Sequence, residues 1–356
     1  MRTSTIRRLW RCAHGALALL ALLAVACVLA VIIVGMETQG GAATPLLGNS
    51  PENVQRAIQR AGPDGFTFLV VGDVRRGTAT FEKLLKLASG EAPAFVVIVG
   101  DFVASPRFAD HRLFAAEIAE DAPPFPIFLV PGNHDVSPHG PFRIGDFRQA
   151  YGPAQFHFSI GDHLFVFLNN VPPGRTTGSH IRFLDRALSQ APRTVRDTFV
   201  FMHVPPLARS GEPARGRATT DEPLLELIRK HHVRHVFAGH YHGYWKRESE
   251  GTTYIVTGGG GARLRDRSTG FHHLVRMAVD GDKVGETVIA TGRAPEALEA
   301  IERTIAARIW PLVVGNGLCV AGTVAVLLGA IWLLARSVER WRELGHAWPG
   351  SGLSRY

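Results

Sequence analysis

The chain has 356 residues, enough for one large domain or two small ones, and 46% of them are hydrophobic. Its formal net charge of +8 comes mainly from nine arginines beside two uncharged apolar blocks. The chain has 39 basic and 31 acidic residues. When these nine arginines and two acidic residues beside the blocks are left out, the region between the blocks has a net charge of +1. This excludes the basic surface of a nucleic-acid binding domain. The three cysteines, Cys12, Cys27 and Cys319, lie in or beside the blocks. The region between the two blocks therefore has neither disulfides nor thiol chemistry.

The two apolar blocks occupy residues 15–36 and 309–335. About 20 apolar residues cross the hydrocarbon core of a bilayer as a helix, so each block predicts a transmembrane helix. Arginines precede the first block and follow the second, which favours a cytoplasmic location for residues 1–14 and 336–356. The sequence therefore predicts a two-pass protein of the cytoplasmic membrane. Its middle region would lie on the periplasmic or extracellular side.

Two other interpretations of the first block stay open. It could be a cleaved signal peptide, or a lipoprotein signal that ends at Cys27. Its apolar core is longer than the roughly 7–15 residues of a signal sequence, which favours an uncleaved anchor. The apolar run 28–34 argues against the lipoprotein signal.

After a Gly- and Pro-rich linker at 37–51, short apolar runs alternate with helical patterns. Runs that are apolar throughout predict buried strands covered by helices. These strands are predicted at 66–73, 94–101, 126–133, 197–203 and 235–240, and the helices at 78–89, 108–120, 181–190 and 222–231. Alternating runs predict hairpin-linked antiparallel strands at 155–160, 163–169, 252–258 and 271–279. Residues 294–308 predict a helical stalk that leads into the second block.

Short polar clusters stand where five of these strands end, at the edge where α/β sheets bind ligands. They read GDVR (72–75), GD (100–101), GNHD (132–135), MHVPP (202–206) and GHYH (239–242). In this order they resemble the signature of the calcineurin-like metallophosphoesterases, which is D-x-H, GD, GNH followed by Asp or Glu, H, and GHxH. The resemblance covers about residues 66–290. It implies a four-layer αββα sandwich at residues 52–293, here flanked by the two transmembrane helices.

The resemblance also implies two divalent metal ions, with Mn, Fe or Zn as the expected elements. Hard ions at a phosphate centre prefer carboxylate, amide oxygen and imidazole ligands. The first ion would be bound by Asp73, Asp101 and His242, and the second by Asp101, Asn133, His203 and His240. By the same resemblance His134 contacts the phosphate and protonates the leaving oxygen. Asp135 is predicted to orient His134, with an ordinary role in the turn as the alternative.

Arg75 departs from the family pattern, which has a histidine at this position. Arginine stays protonated and does not bind metal, so the first site loses one ligand. Three interpretations follow: another ligand completes the site, the guanidinium stabilises transition-state charge, or the site is degraded. Catalysis is favoured because the other six ligands are present.

The predicted function is the hydrolysis of phosphate mono- or diesters by metal-activated hydroxide outside the membrane. Because both ends of the domain would be tethered to the bilayer, lipid-linked or envelope phosphates are the substrates we expect first. The main rival is a catalytically impaired sensor that binds metal or phosphate with the same fold. The sequence does not determine the oligomeric state, and no nucleic-acid partner is expected.

Overall fold

The computed structural model describes residues 16–17, 19–32, 45–62, 65–171, 177–208, 220–265 and 270–292, with short pieces between 301 and 336. The chain divides into two units, Met1–Glu37 with Thr304–Tyr356, and Thr38–Arg303. Residues 19–32 are helical. Among the described residues, no helix is both long and apolar enough to cross a membrane. The predicted segments 1–14, 294–308, 309–335 and 336–356 lie wholly or mostly outside the described residues, as do the ends of segment 15–36.

The unit Thr38–Arg303 contains two mixed sheets. The first has five strands, β1 (Phe66–Val71), β2 (Phe95–Val99), β3 (Ile127–Val130), β10 (His272–Asp280) and β11 (Lys283–Thr291), in the order β11-β10-β1-β2-β3. Strands β1, β2 and β3 are parallel, whereas β10 is antiparallel to both of its neighbours. Strands β2 and β3 are buried along their whole length, as expected for parallel strands covered on both faces.

The second sheet has six strands, β4 (Phe156–Ile160), β5 (His163–Phe167), β6 (Asp197–Phe201), β7 (His235–Ala238), β8 (Tyr244–Ser249) and β9 (Thr252–Thr257), in the order β4-β5-β6-β7-β9-β8. Its four inner strands are parallel, and the edge strands β4 and β8 are antiparallel to their neighbours. The parallel strands of both sheets are therefore followed by loops that can carry ligand-binding residues.

The helices of this unit are α1 (Pro51–Arg60), α2 (Thr78–Gly90), α3 (Phe108–Asp121), α4 (Ile144–Tyr151), α5 (Gly178–Ser189) and α6 (Glu222–Lys230). Ala57 of α1 packs with residues of the core between the sheets, whereas the other helices cover the outer faces. Leu84 of α2 and Phe114 of α3 pack with residues of the first sheet. Leu184 of α5 and Leu224 of α6 pack with residues of the second. The predicted α/β sandwich is confirmed as helices, two sheets and helices in successive layers.

Phenylalanine rings hold the two sheets together. Phe68 of β1 is fully buried, and its ring stacks on Phe95 with centroids 5.2 Å apart. The same ring makes edge contacts with Phe165 and Phe199 of the opposite sheet, at 5.4 and 5.1 Å. Aromatic pairs at these distances add to the free energy of burial. The relative position of the two sheets, and hence of their loops, depends on this contact.

The structure differs from the sequence prediction at the start of the domain. The backbone N–H of Gly48 donates to the Ile127 carbonyl at 2.9 Å, and the buried Asn49 side chain donates to the Leu129 carbonyl at 2.8 Å. Ser50 caps helix α1. The C-terminal end of the predicted linker 37–51 therefore belongs to the domain, because this segment runs beside β3 and Pro51 already begins α1. Its composition resembles that of a loop. Elements α1, α4, β8 and β11 are also absent from the prediction.

Replacing Phe68 with alanine should lower the free energy of unfolding by about 3–5 kcal/mol, since it leaves a cavity between the sheets. Chemical unfolding of the purified protein would measure the change. Phe108→Ala is the matched control, because the Phe108 side chain is 46% exposed and its loss should cost much less. Equal effects of the two substitutions would contradict the role given to Phe68.

Candidate metal centre

The loops after five parallel strands bring all the predicted site residues to one place. Asp73 and Arg75 follow β1, Asp101 follows β2, and His203 follows β6. The remaining predicted residues follow β3 and β7, and they are Asn133, His134, Asp135, His240 and His242. Six of these residues are potential metal ligands and form two groups. We call them the first cluster (Asp73, Asp101 and His242) and the second cluster (Asp101, Asn133, His203 and His240).

The first cluster is buried, and one ligand atom from each member lies within 4.8 Å of the others. Asp73 Oδ2 accepts the backbone N–H of His240 at 2.7 Å. Asp73 Oδ1 has no hydrogen-bond partner among the described residues and lies 3.4 Å from His242 Nε2. A buried carboxylate oxygen without a donor is costly. A positive charge beside it, from a metal ion or from a neighbouring guanidinium, would offset this cost.

The second cluster brings further ligand atoms together. Asn133 Oδ1 lies 3.1 Å from His203 Nε2 and 3.0 Å from His240 Nδ1. His203 Nε2 is also 3.4 Å from Asp101 Oδ1. Asp101 is thus shared by both clusters, which is the position that a carboxylate bridging two ions requires.

Backbone carbonyls fix the tautomers of two ligand histidines. His203 Nδ1 lies 2.9 Å from the Val99 carbonyl, and His242 Nδ1 lies 3.0 Å from the Arg263 carbonyl. Because a carbonyl only accepts, both Nδ1 atoms carry hydrogen and both Nε2 atoms keep a lone pair. These lone pairs point toward the oxygen ligands, so the donor set fits a divalent cation.

Burial also prepares the histidines for metal. Desolvation lowers the pKa of His240 to about 3 and the pKa of His242 to about 4. Both rings are therefore neutral at pH 7, which is the form that binds metal. Burial, reinforced by the neighbouring Asp101, raises the pKa of Asp73. A bound cation would oppose this shift, because a nearby positive charge favours the ionised carboxylate.

The backbone of the site is strained. Non-glycine residues with left-handed φ include Asp73 (58°), Arg75 (51°), Asp101 (54°), His240 (73°) and His242 (50°). Such conformations persist only where the surroundings enforce them, and they concentrate at functional sites. Tight packing supplies that enforcement here, since a side chain at Gly100 or Gly132 would collide with the His203 ring or with Asp101.

His134 lies between the clusters and the loop after β2. Its backbone N–H donates to Asp101 Oδ1 at 2.8 Å, and its Nδ1 lies 3.1 Å from the Ala104 carbonyl. The same Nδ1 lies 3.1 Å from Arg75 Nη2, which can only donate, so these two contacts together do not fix the tautomer. Nε2 is the ring nitrogen that takes part in neither contact. Burial lowers the pKa of His134.

Asp135 has the role in the turn that was the alternative to orienting His134. It is fully buried, and its carboxylate accepts the backbone N–H groups of Gly132 at 2.6 Å, Asp101 at 2.7 Å and Val103 at 3.0 Å. These bonds tie the loop after β3 to the loop after β2. The His134 ring nitrogen Nδ1 contacts Ala104 and Arg75, and a role of Asp135 in orienting His134 stays a prediction. Asp135 positions Asp101.

Two supporting contacts could not be predicted from the sequence. Asn170 is buried, and its Oδ1 accepts the backbone N–H groups of His203 at 3.2 Å and Val204 at 3.0 Å. His111 bridges the Tyr151 hydroxyl at 3.0 Å and the Asp135 carbonyl at 2.9 Å. A lone Asn after a strand and a lone His in a helix are common in any fold. Only the tertiary structure reveals that they hold the ligand loops.

Replacing Asp135 with asparagine should lower the free energy of unfolding by about 2–3 kcal/mol and weaken metal binding, because the amide faces N–H donors that the carboxylate accepted. Thermal unfolding and Mn²⁺ titration would measure both effects. Asp146→Asn is the matched control, since Asp146 accepts the backbone N–H of Arg143 at 2.7 Å away from the clusters. Unchanged stability with a lower turnover rate would favour the predicted role in orienting His134.

Comparison with known proteins agrees with this geometry. Residues 66–244, about half of the chain, match the family of calcineurin-like phosphoesterases. The serine/threonine-protein phosphatase CPPED1 of Danio rerio is 27% identical over 204 residues, which cover 52% of this chain and 65% of that protein. The CPPED1 of Mus musculus is 26% identical over 215 residues, covering 54% and 66%. The chain thus spans just under two thirds of the length of these relatives.

Solved structures with a similar fold include two phosphatases. A dimetal phosphatase from Danio rerio is 16% identical with a TM-score of 0.48, covering 64% of this chain and 99% of that structure. The purple acid phosphatase PPD1 from yellow lupin seeds is 15% identical with a TM-score of 0.49, covering 63% and 51%. On the match of residues 66–244, the chain belongs to the calcineurin-like phosphoesterase family.

Proposed function

We propose that this protein is a metal-dependent phosphoesterase that hydrolyses phosphate mono- or diesters. One observation carries the proposal: two buried sets of ligand atoms share the carboxylate of Asp101. Divalent metal bound by these residues would supply an activated hydroxide and polarise the phosphoryl oxygens. Manganese, iron and zinc all suit oxygen and imidazole ligands of this kind.

The protein's own residues would hold the reacting groups in place. Asp135 fixes Asp101 through its backbone, and Asp101 in turn accepts the backbone N–H of His134. His134 is then positioned beside the ligands, with Nε2 available to the leaving oxygen. A phosphate dianion bound next to it would raise its pKa, because a nearby negative charge favours the imidazolium. His134 could then donate the proton that the leaving oxygen needs.

We also propose that the catalytic unit is anchored in the cytoplasmic membrane and lies on its outer side. The uncharged blocks at 15–36 and 309–335, with arginines on their outer flanks, support this location. Tethering at both ends would keep the site near the bilayer, so lipid-linked or envelope phosphates are the proposed substrates.

Protease added to spheroplasts, whose outer layers have been removed, should cleave the central unit, and complete protection would contradict the location. Hydrolysis of soluble esters alone, with lipid phosphates left intact, would exclude the lipid substrates.

The alternative is a sensor that binds metal or phosphate without turnover. The presence of Arg75 in place of a metal-binding residue is the observation that favours it. Hydrolysis is the better-supported function because the shared carboxylate and both sets of ligand atoms lie together in the structure.

Replacing Asp101 with alanine should reduce hydrolysis more than about 100-fold, because it removes a ligand from both clusters. The assay is release of p-nitrophenol from p-nitrophenyl phosphate and its bis-ester by the full chain with Mn²⁺. Asp282→Ala, at an exposed turn residue, is the matched control and should leave the rate unchanged. Equal rates for all three proteins would reject the proposal, and no turnover in any of them would favour the sensor.

Replacing His134 with glutamine should lower kcat by about 10²–10⁴-fold, since it removes the proposed proton donor. Metal content should stay the same, because His134 belongs to neither cluster. His139→Gln provides a control at an exposed histidine of the same loop. A variant with normal kcat, or one that loses its metal, would show that His134 has another role.

A further inference from the structure

The Arg75 side chain lies in the first cluster. Its backbone has φ of 51°, and its N–H donates to the Asp101 carbonyl at 3.0 Å. This contact and the left-handed turn send the half-buried side chain across the site. Nη1 lies 3.5 Å from His242 Nε2, and Nη2 lies 3.1 Å from His134 Nδ1.

The contact with His242 involves the nitrogen that would bind the first ion. His242 Nδ1 is occupied by the Arg263 carbonyl, so Nε2 carries the lone pair. This Nε2 lies close both to Asp73 Oδ1 and to the Arg75 guanidinium. A permanent cation therefore already faces the lone pair that the first ion requires.

Charge and ligand number act in the same direction. The Arg75 charge attracts both carboxylates of the first cluster, Asp73 and Asp101. A divalent ion placed there would gain three protein ligands and would be repelled by a guanidinium that cannot lose its proton. The first position is thus weakened twice, by a missing ligand and by a like charge.

The second cluster is built differently. Asn133 Oδ1, His203 Nε2 and His240 Nδ1 lie within 3.3 Å of one another. His203 is held by the Val99 carbonyl, so its lone pair must face this group. The ligand atoms here lie at hydrogen-bonding distance from one another, so a cation between them would replace contacts that the protein already forms.

We infer that Arg75 takes the place of the first metal ion. On this view the protein holds one divalent ion tightly, at the second cluster, and the guanidinium contacts the phosphoryl oxygen that a second ion would polarise. An arginine can bind two phosphoryl oxygens at once, which a histidine cannot. The inference rests on the proposed phosphoesterase function for its substrate and on the geometry alone for its metal count.

The test is the metal content of the full chain after loading with Mn²⁺ and desalting. Elemental analysis should find one ion per chain, and electron paramagnetic resonance should show an isolated ion. The Arg75→His variant should bind two ions and show exchange coupling between them, since ions about 3.5–4 Å apart share a bridging ligand. Arg76→His, at the exposed next residue, is the matched control and should keep one ion.

Two coupled ions in the unaltered protein would overturn the inference. A folded Arg75→His variant that still binds one ion would also overturn it, because another cause would then keep the first position empty. If the Arg75→His variant does not fold, the metal content of two variants at ligand residues tests the inference instead. His242→Ala should keep the single ion and Asn133→Ala should lose it, and the reverse result would overturn the inference.

The metal content tests the role of Arg75, and the hydrolysis assay tests the phosphoesterase proposal, so one proposal can be rejected without the other. One tightly held ion without any Asp101-dependent hydrolysis would support the role of Arg75 at the metal site and reject the phosphoesterase proposal. Two ions with Asp101-dependent hydrolysis would support the phosphoesterase and reject the role of Arg75.

Discussion

Electrostatic balance at one buried site governs this structure. Carboxylate, amide and imidazole acceptors from five loops converge where few protein donors reach them, and Asp73 Oδ1 finds no hydrogen-bond partner among the described residues. Acceptors brought together in a medium of low polarity repel one another unless a cation lies between them. The carbonyls of Val99 and Arg263 hold two rings so that their lone pairs cannot turn away. A metal ion at one position and the Arg75 guanidinium at the other would balance this charge.

The fold makes such a site possible by keeping its loops rigid. The phenylalanine contacts around Phe68 fix the two sheets against each other, so the loops after β1, β2 and β3 face those after β6 and β7. Asp135 then joins the loops after β2 and β3 through three backbone N–H groups. Left-handed backbone at Asp73, Asp101 and His242 follows from this packing. Strain at the ligands is the cost of presenting them on short, fixed turns.

The sequence predicted the buried strands because apolar runs such as residues 95–99 are local signals. It predicted the candidate ligands because five short motifs, in this order along the chain, resemble a family signature. Helix α1 has a short apolar stripe of Val54, Ala57 and Ile58, but it directly follows a Gly- and Pro-rich stretch that hides its start. Strand β8 is an edge strand, and its sequence YWKRES is partly exposed. The role of Asp135 and the orientation of Arg75 depend on contacts between distant loops, which no local pattern records. A GNHD motif is compatible with either role for its aspartate.

The most direct test of the metal centre is anomalous diffraction from a crystal of the protein soaked in Mn²⁺. We expect a peak about 2.0–2.2 Å from His203 Nε2 and from the oxygen ligands Asn133 Oδ1 and Asp101. The Arg75 guanidinium should remain beside His242 in the same crystal. The absence of a peak among these atoms at saturating Mn²⁺, or a hydrogen-bonded network without metal, would contradict a metal-dependent site.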